Sequence, residues 1–326
     1  MLDAKLRILG RPDLGTSNPG VATTGVGGVG RNVAENLSRL GTAATLVAPV
    51  GTDAAADSVL GRTRAAGVDC EHVVTSPHPT GTYTAVLDDA GDLLVAVADM
   101  RATDELTVED LGAVPALLDG SDLLVLDANP PAPTLRWLLT AAAEAGVPVV
   151  LEPVSVAKGR AVAEVLDGST PVHTVTPNVD ELGALLGEPV GDREEDVVAA
   201  AARLHARGVA HVWVRRGAMG SLLSVRDGGT TRVGSASVTA PTGARVVRVA
   251  APPTEVEDVT GAGDAMTAGY VHALLSGDDV VEAVRFGQVL AALTCASAHT
   301  VRPDLTAALV AARLTPTEPS AEELPR

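Results

Sequence analysis

Short runs of β-branched and aliphatic residues alternate with longer amphipathic segments from Ala44 onward. Helical segments at 32–40 and 132–145 end at Gly41 and Gly146, since glycine readily takes the left-handed conformation that closes a helix. Strands that alternate with helices favour a mostly parallel sheet, because parallel neighbours need a crossover connection. The sequence therefore predicts an α/β fold. Its strands are predicted at 44–50, 123–127, 147–151, 173–176 and 211–215.

One segment interrupts this alternation. Residues 82–87 and 93–98 flank the polar turn 88–92, which is typical of an antiparallel hairpin, and a hairpin inserted in an α/β chain is often a lid. The Gly-, Thr- and Ser-rich stretch 226–245 predicts an exposed hairpin or loop. The sequence favours one domain over 1–314, followed by a disordered tail at 315–326.

Composition excludes several classes of partner. The 326 residues are 46% apolar, enough for a large core, and the net charge of −17 repels a phosphate backbone, so we expect no nucleic-acid partner. Two cysteines without motif spacing indicate a reducing compartment. No signal peptide and no run of 18 uncharged apolar residues is present, so we expect a cytoplasmic protein without a membrane partner.

The stretch 258–270 leads from a turn of small residues directly into an apolar helix. Gly261, Ala262 and Gly263 allow backbone N–H groups to crowd around an oxygen-rich ligand, and the helix start adds positive partial charge, which suits a transferring phosphate. A carboxylate at Asp264 would repel phosphate unless it accepts a proton from an attacking hydroxyl. The alternative is an aspartate that merely caps a helix.

A second glycine-rich motif spans 25–37 and contains the letters of a dinucleotide-binding fingerprint. That interpretation needs a buried apolar strand before the glycines, and 18–24 is too polar and broken for one. The other interpretation is that Gly27 and Gly28 allow the backbone to approach a sugar closely, while Asn32 offers a donor and an acceptor to ribose hydroxyls. Glycines needed only for helix packing remain the alternative.

At 176–183 a predicted strand ends and a helix begins, which makes Asn178 a cap and puts Glu181 one turn later. The pair is a variant of the capping box and needs no function. Ligands of open α/β sheets nevertheless bind at the carboxyl ends of the strands, where both side chains could hold a hydrated Mg²⁺ ion. The chain has no P-loop, G-x-S-x-G or H-E-x-x-H motif, and its scattered histidines receive no catalytic role.

The paired motifs at 27–32 and 258–264 resemble the two signatures of ribokinase-like carbohydrate and nucleoside kinases. The resemblance runs from Met1 to about Leu305 and implies a three-layer α/β/α sandwich with a small β lid. Within that family the chain is most similar to the pseudouridine kinases. This likeness rests on 17–20, 27–37, 99–100, 152–155 with Lys158, and 259–266.

Carried over to this chain, the resemblance implies a role for each matching residue. Asp264 is the catalytic base, and Gly261, Ala262 and Gly263 form the anion hole. The resemblance further implies that the ribose is bound by Asp3, Gly27, Gly28 and Asn32, and that magnesium and phosphate are held by Asn178 and Glu181. The nucleotide is expected to contact Arg216, Gly217 and Gln288, and a monovalent cation such as K⁺ is expected to bind Asp258 and Thr260.

The implied activity is ATP- and Mg²⁺-dependent phosphorylation of the 5'-hydroxyl of pseudouridine. Segments 11–25 and 80–100 would form the lid, whose strands often pair between subunits, so a homodimer is expected. Ribose or another nucleoside remains an alternative substrate, and a non-catalytic binding protein is an alternative function. The residues expected to lie near the base are Ser17, Asn18, Thr82 and Asp99.

The beginning of the sequence departs from this family. Relatives begin with an apolar strand that ends in Asn-x-Asp, whereas here Met1 stands in the asparagine position before Asp3. We therefore expect that a central strand is missing, through a start assigned too late or a truncation. The stretch 226–245 is longer than in relatives and is expected to be surface decoration.

Overall fold

The computed structural model describes residues 1–226, 230–233, 236–239, 245–314 and 321–323. Within them, eleven helices and fifteen strands follow one another, together with 3₁₀ turns at Glu109–Leu111 and Gly217–Met219. In chain order they are β1 (Leu2–Ile8), β2 (Gly20–Val26), α1 (Val29–Leu40), β3 (Pro49–Val50), α2 (Ala54–Ala65), β4 (Val74–Thr75), β5 (Thr82–Leu87), β6 (Leu93–Asp99), α3 (Arg101–Asp104), α4 (Val114–Leu118), β7 (Leu124–Asp127), α5 (Ala132–Ala145), β8 (Val149–Glu152), α6 (Val156–Val165), β9 (Val172–Val175), α7 (Val179–Leu186), α8 (Glu194–Ala206), β10 (Val209–Arg215), β11 (Ser221–Val225), β12 (Thr230–Val233), β13 (Ala236–Thr239), β14 (Arg245–Val249), α9 (Ala262–Ser276), α10 (Val280–Cys295), α11 (Ala307–Ala311) and β15 (Ala321–Glu323).

The central sheet has seven strands in the order β15-β14-β11-β10-β9-β8-β7. Strands β7 to β10 are parallel, as the sequence predicts, and β11, β14 and β15 add an antiparallel half. The carboxyl ends of β7, β8 and β10 carry Asp127, Glu152 and Arg215. Charged residues from three of the four parallel strands therefore lie along one edge of the sheet.

Side chains alternate between the two faces of this sheet. Val150 and Trp213 pack with helices α1, α9, α10 and α11, whereas Val149, Leu151 and Val214 pack with helices α4 to α8. Because strand side chains point to opposite faces in turn, the same strands feed two separate cores. The predicted three-layer α/β/α sandwich is confirmed.

A second sheet forms the predicted lid, with strand order β2-β1-β5-β6. The hairpin predicted at 82–98 is confirmed as β5 and β6, which pair antiparallel with an irregularity between Val86 and Leu87. Strand β1 runs parallel to β5 and antiparallel to β2. The sequence analysis did not predict β1, and its position brings Asp3 and Lys5 into the lid.

The strand predicted at 44–50 is wrong for most of its length. Only β3 is a strand, paired with β4 in a separate two-stranded sheet. Pro49 lacks an N–H group, and the preceding residues pair with a neighbouring segment through isolated contacts such as Leu46 N–H to the Asp69 carbonyl, 2.8 Å. Among the described residues β7 is an edge strand of the central sheet, and β1 belongs to the lid.

Two predicted irregular regions fall largely outside the described residues. Within 226–245, β12 and β13 pair as an antiparallel hairpin, and 227–229, 234–235 and 240–244 lie outside the description. Of the tail predicted at 315–326, only β15 is described, and it pairs with β14. No helix in the described ranges combines the length and the apolar character needed to cross a membrane.

Candidate active site

Helix α9 starts at the carboxyl edge of the central sheet, and its start depends on one glycine. Gly261 has φ of +80°, and a Cβ there would lie 2.3 Å from the carbonyl oxygen of Thr300. Only glycine combines this conformation with such close approach. The Ala262 N–H donates to the Val259 carbonyl at 3.2 Å. The next N–H groups, of Gly263 and Asp264, have no intrahelical acceptor by helix geometry and can face an anion.

Asp264 lies in the first turn of α9 and meets the first glycine motif directly. The side-chain amide of Asn32 donates to Asp264 Oδ2 at 2.7 Å across a separation of 232 residues. Burial raises the pKa of Asp264 to about 7, the Asn32 hydrogen bond and the Arg215 guanidinium oppose this shift, and Glu152 and Asp127 reinforce it. A carboxyl group with this pKa can accept a proton near neutral pH.

Asn32 is itself held by Arg31, which the sequence analysis did not single out. The Arg31 guanidinium donates to Asn32 Oδ1 at 3.0 Å and to Thr63 Oγ1 at 3.2 Å, and it pairs with Glu35. Arg31 is buried, and desolvation lowers its pKa to about 10. Because Asn32 accepts from Arg31, its amide nitrogen is turned toward Asp264.

Arg215, also missed in the sequence, is the central cation of the site. Its guanidinium donates to Glu152 at 2.6 Å and lies 3.5 Å from Glu181. A Cβ on Gly263 would lie 2.8 Å from Arg215 Nη1, so this glycine lets the guanidinium approach the start of α9. The positive charge therefore lies beside the backbone N–H groups that face the expected phosphate.

Two further acidic groups complete this edge. Glu152 Oε2 accepts from Thr176 at 2.7 Å and from Thr267 at 3.0 Å, which fixes the carboxylate that holds Arg215. Asp127 accepts from the Gly30 N–H at 3.0 Å, and burial raises the pKa of its carboxyl group. A charged residue at the end of a buried strand was the sequence signal that could have identified Asp127, Glu152 and Arg215.

The residues expected to bind ribose lie between the lid and α1. A Cβ on Gly27 would lie 2.0 Å from Asp3 Oδ2, so Gly27 makes room for this carboxylate. Asp3 Oδ1 is buried without a hydrogen-bond partner in the structure, and burial raises the pKa of Asp3. Gly28, with φ of +102°, precedes the first turn of α1. An unpaired buried oxygen of this kind is suited to accept a hydrogen bond from a sugar hydroxyl.

The four residues expected near the base have different surroundings. Thr82 and Asp99 are register partners in β5 and β6, and Asp99 is paired in a bidentate manner with Arg101, which lowers its pKa to about 2. Asn18 is half-buried and bonds within its own loop, to Asp13 and Thr16. Ser17 beside it is exposed. The structure thus brings Thr82 and Asp99 together and leaves Ser17 and Asn18 on the lid surface.

Asn178 and Glu181 form the capping box that the sequence predicts, through reciprocal bonds of 2.8 and 2.9 Å. Burial raises the pKa of Glu181, and Arg215 opposes this shift. Among the described residues, no group of three or more His, Cys, Asp or Glu is arranged to hold a metal ion. Magnesium commonly keeps its water and binds through one or two carboxylates and substrate phosphates, and the Glu181 carboxylate fits that limited role.

Two of the three residues expected to bind the nucleotide already form hydrogen bonds within the protein. Arg216 donates to Glu194 at 3.1 Å and to the Asp192 carbonyl at 2.8 Å. Gly217 follows with φ of +57°, in a turn where a Cβ would meet open space. Gln288 is buried and donates to Ser221 at 2.7 Å. Gln288 therefore lies within the core beside β11 rather than at an exposed surface.

The residues expected to bind a monovalent cation instead contact a lysine of the lid. Lys5 Nζ donates to Asp258 Oδ2 at 2.8 Å and to Thr260 Oγ1 at 3.3 Å. Asp258 Oδ1 accepts from the N–H and the hydroxyl of Thr260, at 2.8 and 2.6 Å. Both oxygens of Asp258 thus have donors supplied by the chain itself.

Taken together, an acidic group with a pKa near neutrality lies beside a helix start and a buried guanidinium, and the lid contributes a buried carboxylate oxygen without a hydrogen-bond partner. The family model described as "pfkB family carbohydrate kinase" matches residues 11–307. The chain belongs to the pfkB family of carbohydrate kinases. As a member, it is a phosphotransferase with an alcohol group as acceptor, acting on a sugar or nucleoside.

Individual relatives agree with this assignment. The chain is 34% identical to the pseudouridine kinase of Escherichia coli (strain K12). The matched region covers 90% of this chain and 87% of that relative. The chain also matches a carbohydrate kinase from Agrobacterium tumefaciens at 32% identity, with a TM-score of 0.79 over 99% and 96% of the two chains. An Arabidopsis thaliana ribokinase, complexed with ribose and ATP, shares the fold at 23% identity and a TM-score of 0.80, over 97% and 96%.

Proposed function

We propose that this pfkB-family kinase transfers the γ-phosphoryl group of ATP to the 5'-hydroxyl of pseudouridine. The contact between Asn32 and Asp264 carries the proposal, because it joins the sugar-facing glycine motif to the helix start suited to phosphate. The similarity to the pseudouridine kinase of E. coli over most of both chains supports this substrate.

The sugar end of the proposed site consists of Asp3, Asn32 and the backbone at Gly28. The unpaired Oδ1 of Asp3 accepts from one ribose hydroxyl, and Asn32 contacts another while it keeps its bond to Asp264. This arrangement puts the 5'-hydroxyl next to Asp264. A lid sheet over the ribose excludes water, which would otherwise compete as phosphoryl acceptor.

Asp264 accepts the proton of the 5'-hydroxyl, since its pKa of about 7 lies close to the working pH. The N–H groups of Gly263 and Asp264, together with Arg215, face the phosphoryl oxygens on which negative charge lies during transfer. Phosphoryl transfer is mostly loose, so alignment of donor and acceptor contributes more than proton removal.

Glu181 would hold a water of a bound magnesium ion, and Asn178 keeps the carboxylate in position. Magnesium supplies charge neutralisation on the nucleotide phosphates. In this proposal the nucleotide extends from the helix start past Gly217 and the turn after β10, where a Cβ on Gly217 would meet open space. The Arg216 side chain is already paired with Glu194, so in this proposal it stabilises the turn and does not contact a phosphate directly.

The substrate is tested with a coupled ADP-release assay on pseudouridine, uridine, ribose and adenosine. We expect kcat/KM to be highest for pseudouridine. Preference for ribose or another nucleoside would replace the proposed substrate and keep the kinase chemistry. Thermal stabilisation by pseudouridine without ADP release from any acceptor would instead indicate a binding protein.

We further propose a homodimer built on the lid. Strand β6 exposes Leu93, Val95 and Val97 to solvent, with Val97 at 66% exposure, and neighbouring apolar side chains of this kind are typical of a protein interface. Static light scattering tests the assembly, and Val97→Asp is expected to shift a dimer toward monomer. A monomeric wild-type protein at micromolar concentration would contradict it.

A further inference from the structure

Lys5 projects from the lid toward the turn that starts α9. It lies two residues after Asp3 in β1, so both side chains are on the face of the lid sheet that faces the site. Its ammonium reaches Asp258 and Thr260, more than 250 residues away in the sequence. The Lys5–Asp258 pair is the direct ionic contact between the lid and this turn that the structure records among its described residues.

The chain's own groups satisfy the Asp258 carboxylate. Thr260 donates twice to Oδ1, and Lys5 donates to Oδ2. Burial by itself raises the pKa of Asp258, but the hydrogen bonds from Lys5 and Thr260 outweigh it and leave the pKa below its usual value. These residues therefore do not fit a site that awaits an external monovalent cation, because an ammonium ion of the protein is already bound to its carboxylate.

We propose that Lys5 is a resident substitute for a monovalent cation at Asp258, so that phosphoryl transfer by this protein is independent of K⁺. Lys5 acts as a positioning residue. Its charge holds Asp258 and Thr260, and these hold the turn at Gly261 from which α9 and its N–H groups begin. The inference rests on the proposed kinase function.

An ammonium group and a K⁺ ion carry the same charge and are similar in size, which makes the proposal testable by exchange. Lys5→Met keeps most of the side-chain volume and removes the charge, so it leaves the Asp258 carboxylate open to a cation from solution. Arg7→Met is the matched control, because Arg7 lies two residues further along β1 and contacts the Asp89 carbonyl near the tip of the lid, away from the anion hole.

Turnover is measured in KCl, NH₄Cl, NaCl and choline chloride at constant ionic strength. We expect wild-type and Arg7→Met turnover to vary by less than about twofold among the salts, beyond general screening. Lys5→Met is expected to lose about tenfold to hundredfold in kcat in choline chloride, less than the loss of about 10²–10³-fold that follows removal of a direct oxyanion-hole donor, because Lys5 acts through Asp258 and Thr260. KCl and NH₄Cl, but not NaCl, should restore most of that loss.

Thermal unfolding supplies a readout that does not depend on the substrate. A cation that binds only the folded protein raises Tm, so KCl should stabilise Lys5→Met relative to choline chloride and leave the wild type unchanged. Strong activation of the wild type by KCl, full Lys5→Met activity in choline chloride, or a loss that no cation restores would each overturn the proposal. If no acceptor is phosphorylated, the proposed function fails while the thermal comparison still decides the role of Lys5.

Discussion

The hydrogen bond from Asn32 to Asp264 leads to a prediction about pH dependence. Asn32→Ala removes a donor to a buried carboxylate at 2.7 Å. That donor favours the ionised form and opposes the burial that raises the pKa of Asp264 to about 7. Its loss must therefore move the pKa of Asp264 further upward.

The size of the shift follows from the strength of the bond. A hydrogen bond to a charged group contributes about 1.5–3 kcal/mol, and one pKa unit corresponds to about 1.4 kcal/mol. Water that enters the space left by the amide recovers part of this energy. We expect the pKa of Asp264 to rise by about one unit in Asn32→Ala, at the lower end of that range.

The assay is the pH profile of kcat/KM with pseudouridine and ATP. The base must be ionised, so activity falls as pH drops through its pKa, and in Asn32→Ala this fall should begin about one pH unit higher than in the wild type. The lost ribose contact raises KM equally at all pH values and is thereby separated from the shift. Asn36→Ala is the control, because Asn36 lies one turn further along α1 and bonds the Asn32 carbonyl rather than Asp264. A uniform loss of activity with an unmoved acidic limb would refute the assignment of Asp264 as base.

Three further predictions address the base, the helix start and the buried histidines. Asp264→Asn should lower kcat by about 10²–10⁴-fold while ATP still binds, as measured by turnover and by calorimetric titration, and near-normal turnover would contradict the mechanism. Gly261→Ala should destabilise the fold by more than Gly277→Ala in urea denaturation, because both glycines have positive φ but only a Cβ at 261 meets a backbone oxygen. Burial lowers the pKa of His173 to about 4 and of His211 to about 3. The unfolded chain binds these protons first, so the free energy of unfolding should fall by about 2 kcal/mol per histidine between pH 7 and 5. His211→Leu should lessen that fall, and an equal fall in this variant would show that other groups cause it.

Much of the fold follows from local sequence patterns. The parallel strands β7 to β10, the lid hairpin and the capping box at Asn178 depend on periodicity, turn residues and caps within short segments. Both signature motifs were visible for the same reason. Their contact through Asn32 and Asp264 was not predicted, since it joins distant parts of the chain.

Other parts of the site could not be derived from local patterns. Residues Leu2–Ile8 alternate apolar and polar side chains, which is a strand signal, but this short run was not predicted as a strand. Its pairing with β2 and β5 joins segments that local patterns do not connect. Glu152 and Arg215 each end an apolar run, and a charged residue in that position indicates only that the strand ends there. Their pairing becomes apparent only when the sheet aligns β8 with β10. Lys5 meets Asp258 only after the lid is folded over the site.

The carboxyl groups gathered around Arg215 lead to an expectation about which phosphoryl donor the proposed site favours. Four carboxyl groups, those of Asp127, Glu152, Glu181 and Asp264, share this edge of the sheet with one buried guanidinium, and each of them that is ionised adds negative charge. A bare triphosphate would meet repulsion on approach, whereas a nucleotide whose charge is largely cancelled by a divalent ion would not. An uncharged sugar enters without this barrier. We therefore expect the proposed site to favour the metal-complexed nucleotide by its charge before any contact with the base or ribose is made.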